Sequence, residues 1–135
     1  MEDTSARHDH RQHILIVDDE PAVLRVLGRY LEKAGYRVGT ANTGFEAGVY
    51  LGHFLPDLIT LDLRMPEMDG GEVLECIRKT DYLRHLKILV ISGVSDKELE
   101  EAMRQGADAC LKKPVEMQEL LCMVHRLLGD GPEAG

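Results

Sequence analysis

Residues 58–70 read LITLDLRMPEMDG, and this stretch decides the fold class. Its first four residues form an unbroken apolar run, which is typical of a strand covered on both faces. Asp62 follows the run directly, and burying a carboxylate without a partner is energetically costly. The stretch therefore predicts a buried strand that ends in a carboxylate with a specific role.

Similar apolar runs lie elsewhere in the chain. They are ILIV at 14–17, ILVI at 88–91 and the shorter ACL at 109–111. Another candidate strand, YRVGT at 36–40, is more polar and suits the edge of a sheet. The sequence thus predicts five strands.

The segments between these runs have helical patterns, with apolar residues recurring at spacings of three and four. Pro21 suits a first helical turn, and two capping-box patterns, Thr43 with Glu46 and Ser95 with Glu98, mark further helix starts. Strands and helices alternate along the whole chain. This order predicts an α/β fold, a doubly wound five-stranded parallel sheet with helices on both faces.

Length and composition limit the possible classes of protein. The chain has 135 residues, 44% hydrophobic and 30% charged, which suits one globular domain. The net charge of −8 argues against non-specific nucleic-acid binding, which needs a basic surface. No apolar run approaches the roughly 18 residues of a membrane span.

The termini and the cysteines indicate a cytoplasmic protein. Residues 1–12 contain no apolar stretch that could serve as a secretion signal, and we expect both this segment and 129–135 to be flexible tails. Cys76, Cys110 and Cys122 include no C-x-x-C pair and do not suggest a disulfide framework. The pattern His8, His10 and His13 could bind a metal, but we expect it to be part of a solvated tail.

Polar side chains follow four of the predicted strands. Asp18 and Asp19 follow ILIV, Asp62 follows LITL, Ser92 follows ILVI, and Lys113 follows ACLK. Ligands of an open parallel sheet bind beyond the carboxyl ends of its strands. Three carboxylates there would repel one another unless they held a cation such as Mg²⁺. With the hydroxyl and the ammonium group, they suit a phosphoryl group and an aspartate nucleophile.

The motifs ILIVDDEP, LITLDLRMPEMDG, ILVISG and GADACLKKPV together resemble the receiver domain of two-component response regulators. The resemblance covers residues 13–128. It implies a flavodoxin-like strand order of 2-1-3-4-5 with five helices. LDLRMPEMDG is highly specific, and its combination with DDEP and KP leaves little room for another family.

The resemblance implies a role for each residue that binds the phosphoryl group. Asp62 matches the phosphoacceptor, and Ser92 matches the hydroxyl residue that bonds a phosphoryl oxygen. Lys113 matches the lysine that pairs with the acceptor; Lys112 is a competitor, but strand alternation points it to the opposite face. The Lys113–Pro114 peptide bond is expected to be cis.

The resemblance also implies a Mg²⁺ site. Asp19 matches a direct ligand, and Asp18 matches a residue that holds a metal-bound water or ligates directly. Asp62 is expected to contribute a carboxylate oxygen, and Arg64 its backbone carbonyl.

The expected partners follow from the same resemblance. A histidine kinase or a histidine phosphotransfer protein would donate the phosphoryl group, and the modified domain would bind a downstream protein. Such a domain catalyses its own phosphorylation and dephosphorylation but is not a conventional turnover enzyme. We expect no direct contact with nucleic acid or membrane, and a monomer or weak dimer. Because only about seven residues follow the last predicted helix, we expect a stand-alone regulator or an excised receiver, with a slight preference for the first.

Two positions depart from the family pattern. Cys110 stands where an aromatic residue is common, so we expect Ser92 to act with backbone shifts alone rather than through the usual paired movement of a hydroxyl and an aromatic residue. Arg64 stands where a shorter polar residue is common, and its side chain could screen the phosphoryl group or pair with Glu67. We expect Arg64 and Val94 to influence the rate of autodephosphorylation.

Two alternative functions remain to be weighed. A hydrolase of the haloacid dehalogenase type would need a second aspartate two positions after the nucleophile, where this chain has Arg64. The other alternative is a receiver-like interaction module that works without phosphorylation; unimpaired partner binding by an Asp62→Ala variant would favour it.

Overall fold

The computed structural model describes residues 10–66 and 69–129. Strands and helices alternate from the first strand to the last helix. The strands are β1 (His13–Val17), β2 (Arg37–Ala41), β3 (Leu58–Leu61), β4 (Lys87–Ser92) and β5 (Ala109–Lys112). The helices are α1 (Pro21–Lys33), α2 (Gly44–His53), α3 (Gly70–Arg78), α4 (Asp96–Arg104) and α5 (Met117–Leu128), with a 3₁₀ helix at Asp81–Leu83.

The five strands form one parallel sheet in the order β2-β1-β3-β4-β5. The predicted fold class and strand order are therefore confirmed. The chain reverses direction across the sheet beside β1, and this is where an open α/β sheet forms its ligand crevice. The carboxyl ends of β1 and β3 lie side by side there, with Val17 paired to Leu61.

Each strand contributes to two cores because successive side chains point to opposite faces. In β1, Ile14 and Ile16 pack against α1 and α5, whereas Leu15 and Val17 pack in the core beneath α2, α3 and α4. Burial of the central strands explains their unbroken apolar sequences.

Of the two capping boxes that the sequence predicts, one forms completely and the other only in part. Ser95 and Glu98 form the full predicted capping box at α4. At α2 the box is only half formed, which corrects the prediction: Thr43 accepts the bond from the Glu46 N–H, but the Glu46 carboxylate accepts one from Asn42 N–H instead. The half box arises because the side chain of Glu46 reaches one residue beyond the cap.

His13 does not belong to a solvated tail, so that expectation was wrong for this residue. It begins β1, is 6% exposed, and its ring contacts the Tyr50 hydroxyl. His10 is exposed, and His8 lies outside the described residues. His13 is buried because β1 pairs with β2 and packs against α2. The polar residues before it make it look like part of the tail in the sequence.

None of the helices in residues 10–66 and 69–129 combines the length and apolar character that a membrane crossing requires.

Candidate functional site

The site lies at the carboxyl edge of the sheet, where four strands end within reach of one another. Asp18 and Asp19 follow β1, Asp62 follows β3, Ser92 ends β4, and Lys113 follows β5. The backbone fixes these ends, since the Asp62 N–H donates to Val17 O at 3.1 Å and the Lys113 N–H donates to Ser92 O at 3.0 Å. The structure thus brings together all the side chains that the sequence placed at this edge.

Both carboxylate oxygens of Asp62 have partners. Oδ1 accepts hydrogen bonds from the Ser92 hydroxyl at 2.7 Å and from the Arg64 backbone N–H at 3.0 Å. Oδ2 accepts one from Lys113 Nζ at 3.1 Å. Asp62 is only 4% exposed, so these bonds replace the water that a buried carboxylate would lose. They also fix the direction in which the carboxylate points.

Asp18 and Asp19 lie next to Asp62. Asp18 is buried, and its two oxygens accept bonds from the Glu20 backbone N–H at 2.9 Å and from Lys113 Nζ at 2.7 Å. Asp19 is less buried. Each of the three aspartates offers an oxygen, and these oxygens all lie within 4.8 Å of one another. Neighbouring carboxylates at this spacing form an all-oxygen donor set of the kind that Mg²⁺ prefers.

The two adjacent lysines point to different places. Lys113 pairs with Asp18 and Asp62, whereas Lys112 pairs with Asp96 of α4 at 3.0 Å. Burial lowers the pKa of the Lys113 ammonium group, but its hydrogen bonds to both aspartates and their negative charges outweigh burial and raise the pKa above its ordinary value. Lys113 is therefore a fixed positive charge facing the carboxylates. The Lys113–Pro114 peptide bond is cis, as expected.

The arrangement carries an excess of negative charge. Three carboxylates face one ammonium group, and two of the carboxylates are almost fully buried. Like charges this close destabilise one another in a poorly solvated site. A divalent cation would remove that imbalance, so the residues present fit a bound Mg²⁺.

Gly70 is a site residue that the sequence analysis missed. It begins α3, and a Cβ atom placed on it would lie 2.5 Å from Asp62 O and 2.5 Å from Leu63 Cα. The loop after β3 therefore folds back so closely on α3 that only glycine fits. The glycine is visible in the motif MDG, but the sequence alone does not show that another backbone segment comes this close to it.

A groove of about 220 Å³ lies beside the site, between the loop after β3 and α4. Arg64, buried Val94 and Glu98 are among the residues that line it. Arg64 also lowers the pKa of Glu98 slightly, after the larger effects of the bonds from the Ser95 backbone and hydroxyl. Arg64 therefore faces α4 across the groove; its expected alternative partner, Glu67, lies outside the described residues.

Cys110 lies on β5 with its side chain on the α4 side of the sheet. Its thiol is half-buried and donates a weak hydrogen bond to Leu99 O at 3.6 Å. Burial raises the pKa of this thiol, which keeps it protonated. Cys110 thus behaves as a small packing residue between β5 and α4.

Comparison with known proteins assigns the family. The model of the response regulator receiver domain matches residues 14–125. The polar-differentiation response regulator DivK of Brucella anthropi is 30% identical over 118 residues, which are 87% of this chain and 96% of DivK. The DNA-binding dual master transcriptional regulator RpaA of Synechocystis sp. is 34% identical over 116 residues, which are 85% of this chain but only 48% of RpaA.

A solved structure agrees with the sequence matches. The response regulator receiver domain from Bermanella marisrubri is 38% identical, with a TM-score of 0.82 over 88% of this chain and 99% of that one. Receiver domains typically bind Mg²⁺ and interact with histidine kinases and downstream targets, and the cluster of three aspartates is present here. The chain therefore belongs to the family of response regulator receiver domains, the phosphoacceptor modules of two-component signal transduction.

Proposed function

We propose that Asp62 is the residue that accepts the phosphoryl group. One observation carries this proposal: Asp62 is the carboxylate whose two oxygens are held by Ser92, the Arg64 amide and Lys113, while two further carboxylates lie beside it. Asp18 is also buried, but it faces the Glu20 amide and Lys113 and has no hydroxyl donor in the described residues. Asp62 is therefore the nucleophile that already has donors for the oxygens of an incoming phosphoryl group.

Asp18, Asp19, Asp62 and the backbone carbonyl of Arg64 would hold Mg²⁺. When bound, the ion supplies positive charge that offsets the negative charge of the carboxylates and of the phosphoryl oxygens. The spacing of the three carboxylates supports this assignment. The Arg64 amide already bonds to Asp62, so the backbone at this position lies next to the acceptor.

The reaction is a transfer between two nucleophiles. A phosphohistidine of a histidine kinase or histidine phosphotransfer protein places its phosphorus in line with an Asp62 oxygen. The new P–O bond forms as the P–N bond of the donor breaks, and the electron pair of that bond stays with the imidazole. Lys113 balances charge on the phosphoryl oxygens, and the protein acts by positioning and electrostatics.

Dephosphorylation uses the same residues in a hydrolytic step. The oxygen of a water molecule attacks phosphorus, the bond to Asp62 breaks, inorganic phosphate leaves, and the carboxylate is restored. The domain thus catalyses its own modification and its reversal without being a conventional turnover enzyme.

The switch depends on Ser92 and on the backbone around it. In the unmodified protein the Ser92 hydroxyl donates to Asp62, and the same hydroxyl is free to bond a phosphoryl oxygen after a small movement. Cys110 has no ring to move inward, so β4 and the start of α4 carry the change by backbone shifts. The signal then passes to a downstream protein, and we place this receiver domain (residues 13–128) in the cytoplasm.

The proposal is tested by intact-mass measurement after incubation with acetyl phosphate, with Mg²⁺ or with a chelator. Wild type is expected to gain one phosphoryl group only with Mg²⁺, and Asp62→Asn is expected to gain none. Asp96→Asn is the matched control, because it removes an exposed carboxylate that pairs with Lys112 rather than Lys113. An adduct of equal yield on Asp62→Asn, or none on wild type while a known receiver is modified, would contradict the proposal and favour the phosphorylation-independent module.

A further inference from the structure

Helix α2 carries apolar residues on part of its outer face as well as on its buried face. Ala47 and Leu51 face the core, while Phe45 and Val49 are 78% and 48% exposed, with the exposed Gly48 and Gly52 beside them. A surface helix normally turns charged residues to water. The exposed Glu46 and His53 do so on one side of the outer face of α2, whereas Phe45, Gly48, Val49 and Gly52 leave the other side apolar and suited to burial.

The apolar surface extends beyond the helix. In the described residues seven large apolar side chains are exposed, and five of them lie on or beside α2: Phe45, Val49, Phe54, Leu55 and Tyr82. Tyr82 is tied to the helix by a hydrogen bond from its hydroxyl to Leu51 O at 3.2 Å. Exposed apolar side chains that are concentrated around one element suggest an interaction site, whereas single ones scattered over a surface do not. We call these five residues the α2 face.

The α2 face carries both a projecting side chain and a groove that suits it. A groove of about 240 Å³ runs between α2 and α3, and Gly48, Cys76 and Tyr82 are among its walls. Phe45 is exposed on the same helix and follows Gly44, which lines the groove. When a knob and a hole lie on one surface, two copies related by a two-fold axis can fill each other's groove, because both copies use the same patch.

The charges next to the groove of the α2 face do not oppose a second copy. The protein has a net charge of −8, so most of its surface repels another copy. Next to the groove, however, the charges are paired on the molecule itself: Glu75 with Lys79 at 3.1 Å and Asp81 with Arg84 at 3.6 Å.

The two ends of α2 have opposite charge. Glu46 lies in its first turn, and Arg37 lies over the Phe54 ring just past its last turn. In an antiparallel pair of α2 helices, Glu46 of one copy would therefore lie toward Arg37 of the other. Opposite ends of this kind favour an antiparallel arrangement over a parallel one.

We propose that the α2 face is a self-association surface, through which two copies of this chain pair with antiparallel α2 helices that cross at Gly48. A Cβ atom on Gly48 would meet nothing within 4 Å on its own molecule, so the space above this residue is free for the backbone of the partner helix. The proposal is independent of phosphorylation at Asp62, which lies at a different part of the fold.

Sedimentation velocity from the micromolar to the millimolar range tests this proposal. Wild type is expected to shift from monomer to dimer, and Phe45→Gln is expected to weaken the dimer by about tenfold or more, as for a buried aromatic anchor. Gly48→Gln is the sharper variant. It places a good helix former at an exposed position, so the monomer folds at least as well while the partner helix is kept away.

Val49→Gln and Val26→Gln form the matched control pair. Both replace an exposed helical valine, but Val26 lies on α1, on the opposite side of the sheet. Only Val49→Gln should weaken the dimer, and Asp62→Asn should dimerise as wild type does. The proposal would be overturned if wild type stayed monomeric at every concentration, or if both valine variants weakened the dimer equally. Binding of neutral lipid vesicles by a protein that forms no dimer would also overturn it.

Discussion

A single lysine does not neutralise the negative charge around Asp62. Lys113 is shared between Asp62 and Asp18, at 3.1 and 2.7 Å, and Asp19 has no ion pair with it. Because the pKa of Lys113 is raised, its ion pairs stabilise the fold at and below its ordinary pKa of 10.5 and are lost as pH rises through the raised value. A bound cation would offset the remaining negative charge before a phosphoryl group arrives.

Arg64 is expected to protect the phosphorylated residue from water. Its backbone N–H bonds to Asp62, and its side chain lines the groove beside the site with Val94. Arg64→Ala should open this groove and shorten the lifetime of the phosphoryl group several-fold. The decay of the phosphorylated protein, followed by intact mass after removal of the phosphodonor, measures this.

Arg104→Ala is the control for that experiment. Arg104 is also an exposed arginine, but it pairs with Glu101 on α4 and is not part of the groove lining. Equal lifetimes for Arg64→Ala and wild type would show that the Arg64 side chain does not screen the phosphoryl group.

At the scale of elements, the junction between β3 and α3 depends on a glycine. A Cβ on Gly70 would collide with backbone atoms of Asp62 and Leu63, whereas one on Gly71 would come no closer than 3.4 Å, to the Asp69 side chain. Gly70→Ala should therefore lower the free energy of unfolding by about 1–3 kcal/mol, the usual cost of overpacking. Urea denaturation measures this loss, and Gly71→Ala should lose clearly less. Equal losses would contradict the close approach.

The cap of α4 should make stability depend on pH. The Ser95 hydroxyl accepts from the Glu98 N–H. The Glu98 carboxylate accepts from the Ser95 N–H and from the Ser95 hydroxyl, which lowers the pKa of Glu98, and Ser95→Ala removes the hydroxyl bond. Ser95→Ala should cost about 1 kcal/mol at neutral pH. A carboxylate with a lowered pKa stabilises the fold above its ordinary pKa and loses this effect as pH falls through the lowered value.

The difference between wild type and Ser95→Ala should therefore shrink on acidification below the ordinary pKa of 4.5 for Glu98. Thermal unfolding at several pH values measures it. Thr43→Ala is the comparison, since the half-formed box at α2 lacks the return bond to the cap residue. A difference that stays constant down to the acid limit would contradict the reciprocal cap.

The helix caps also show where sequence reasoning stops. Ser95 with Glu98 and Thr43 with Glu46 have the same spacing and residue class, yet only the first forms the complete box. The path of the preceding loop determines which backbone N–H donates a hydrogen bond to the glutamate carboxylate. That path is set by tertiary packing, which local spacing does not contain.

At the scale of the whole molecule, strand order explains which side chains gather. In a parallel sheet every strand ends at the same edge, so the residues after four strands could be expected to lie together from the sequence alone. The predicted sheet follows from the unbroken apolar strands, which need cover on both faces. His13 and Gly70 could not be predicted, because burial of the first and crowding of the second depend on residues far away in sequence.

Mg²⁺ should stabilise the whole fold. A ligand that binds only the folded protein adds about 2.7 kcal/mol at a concentration one hundred times its dissociation constant. The melting temperature of wild type should rise with Mg²⁺, while Asp62→Asn should melt higher than wild type without the ion and gain less from it. Differential scanning calorimetry measures both effects, with Asp96→Asn as the control that should behave like wild type.

The most direct test of the central claim is to locate the phosphoryl group. Borohydride reduces an acyl phosphate to the corresponding alcohol with release of phosphate, so the modified aspartate becomes homoserine. After treatment of wild type with acetyl phosphate and Mg²⁺, peptide sequencing by mass spectrometry should find homoserine at position 62. Homoserine at Asp18 or Asp19, with Asp62 unchanged, would contradict the account.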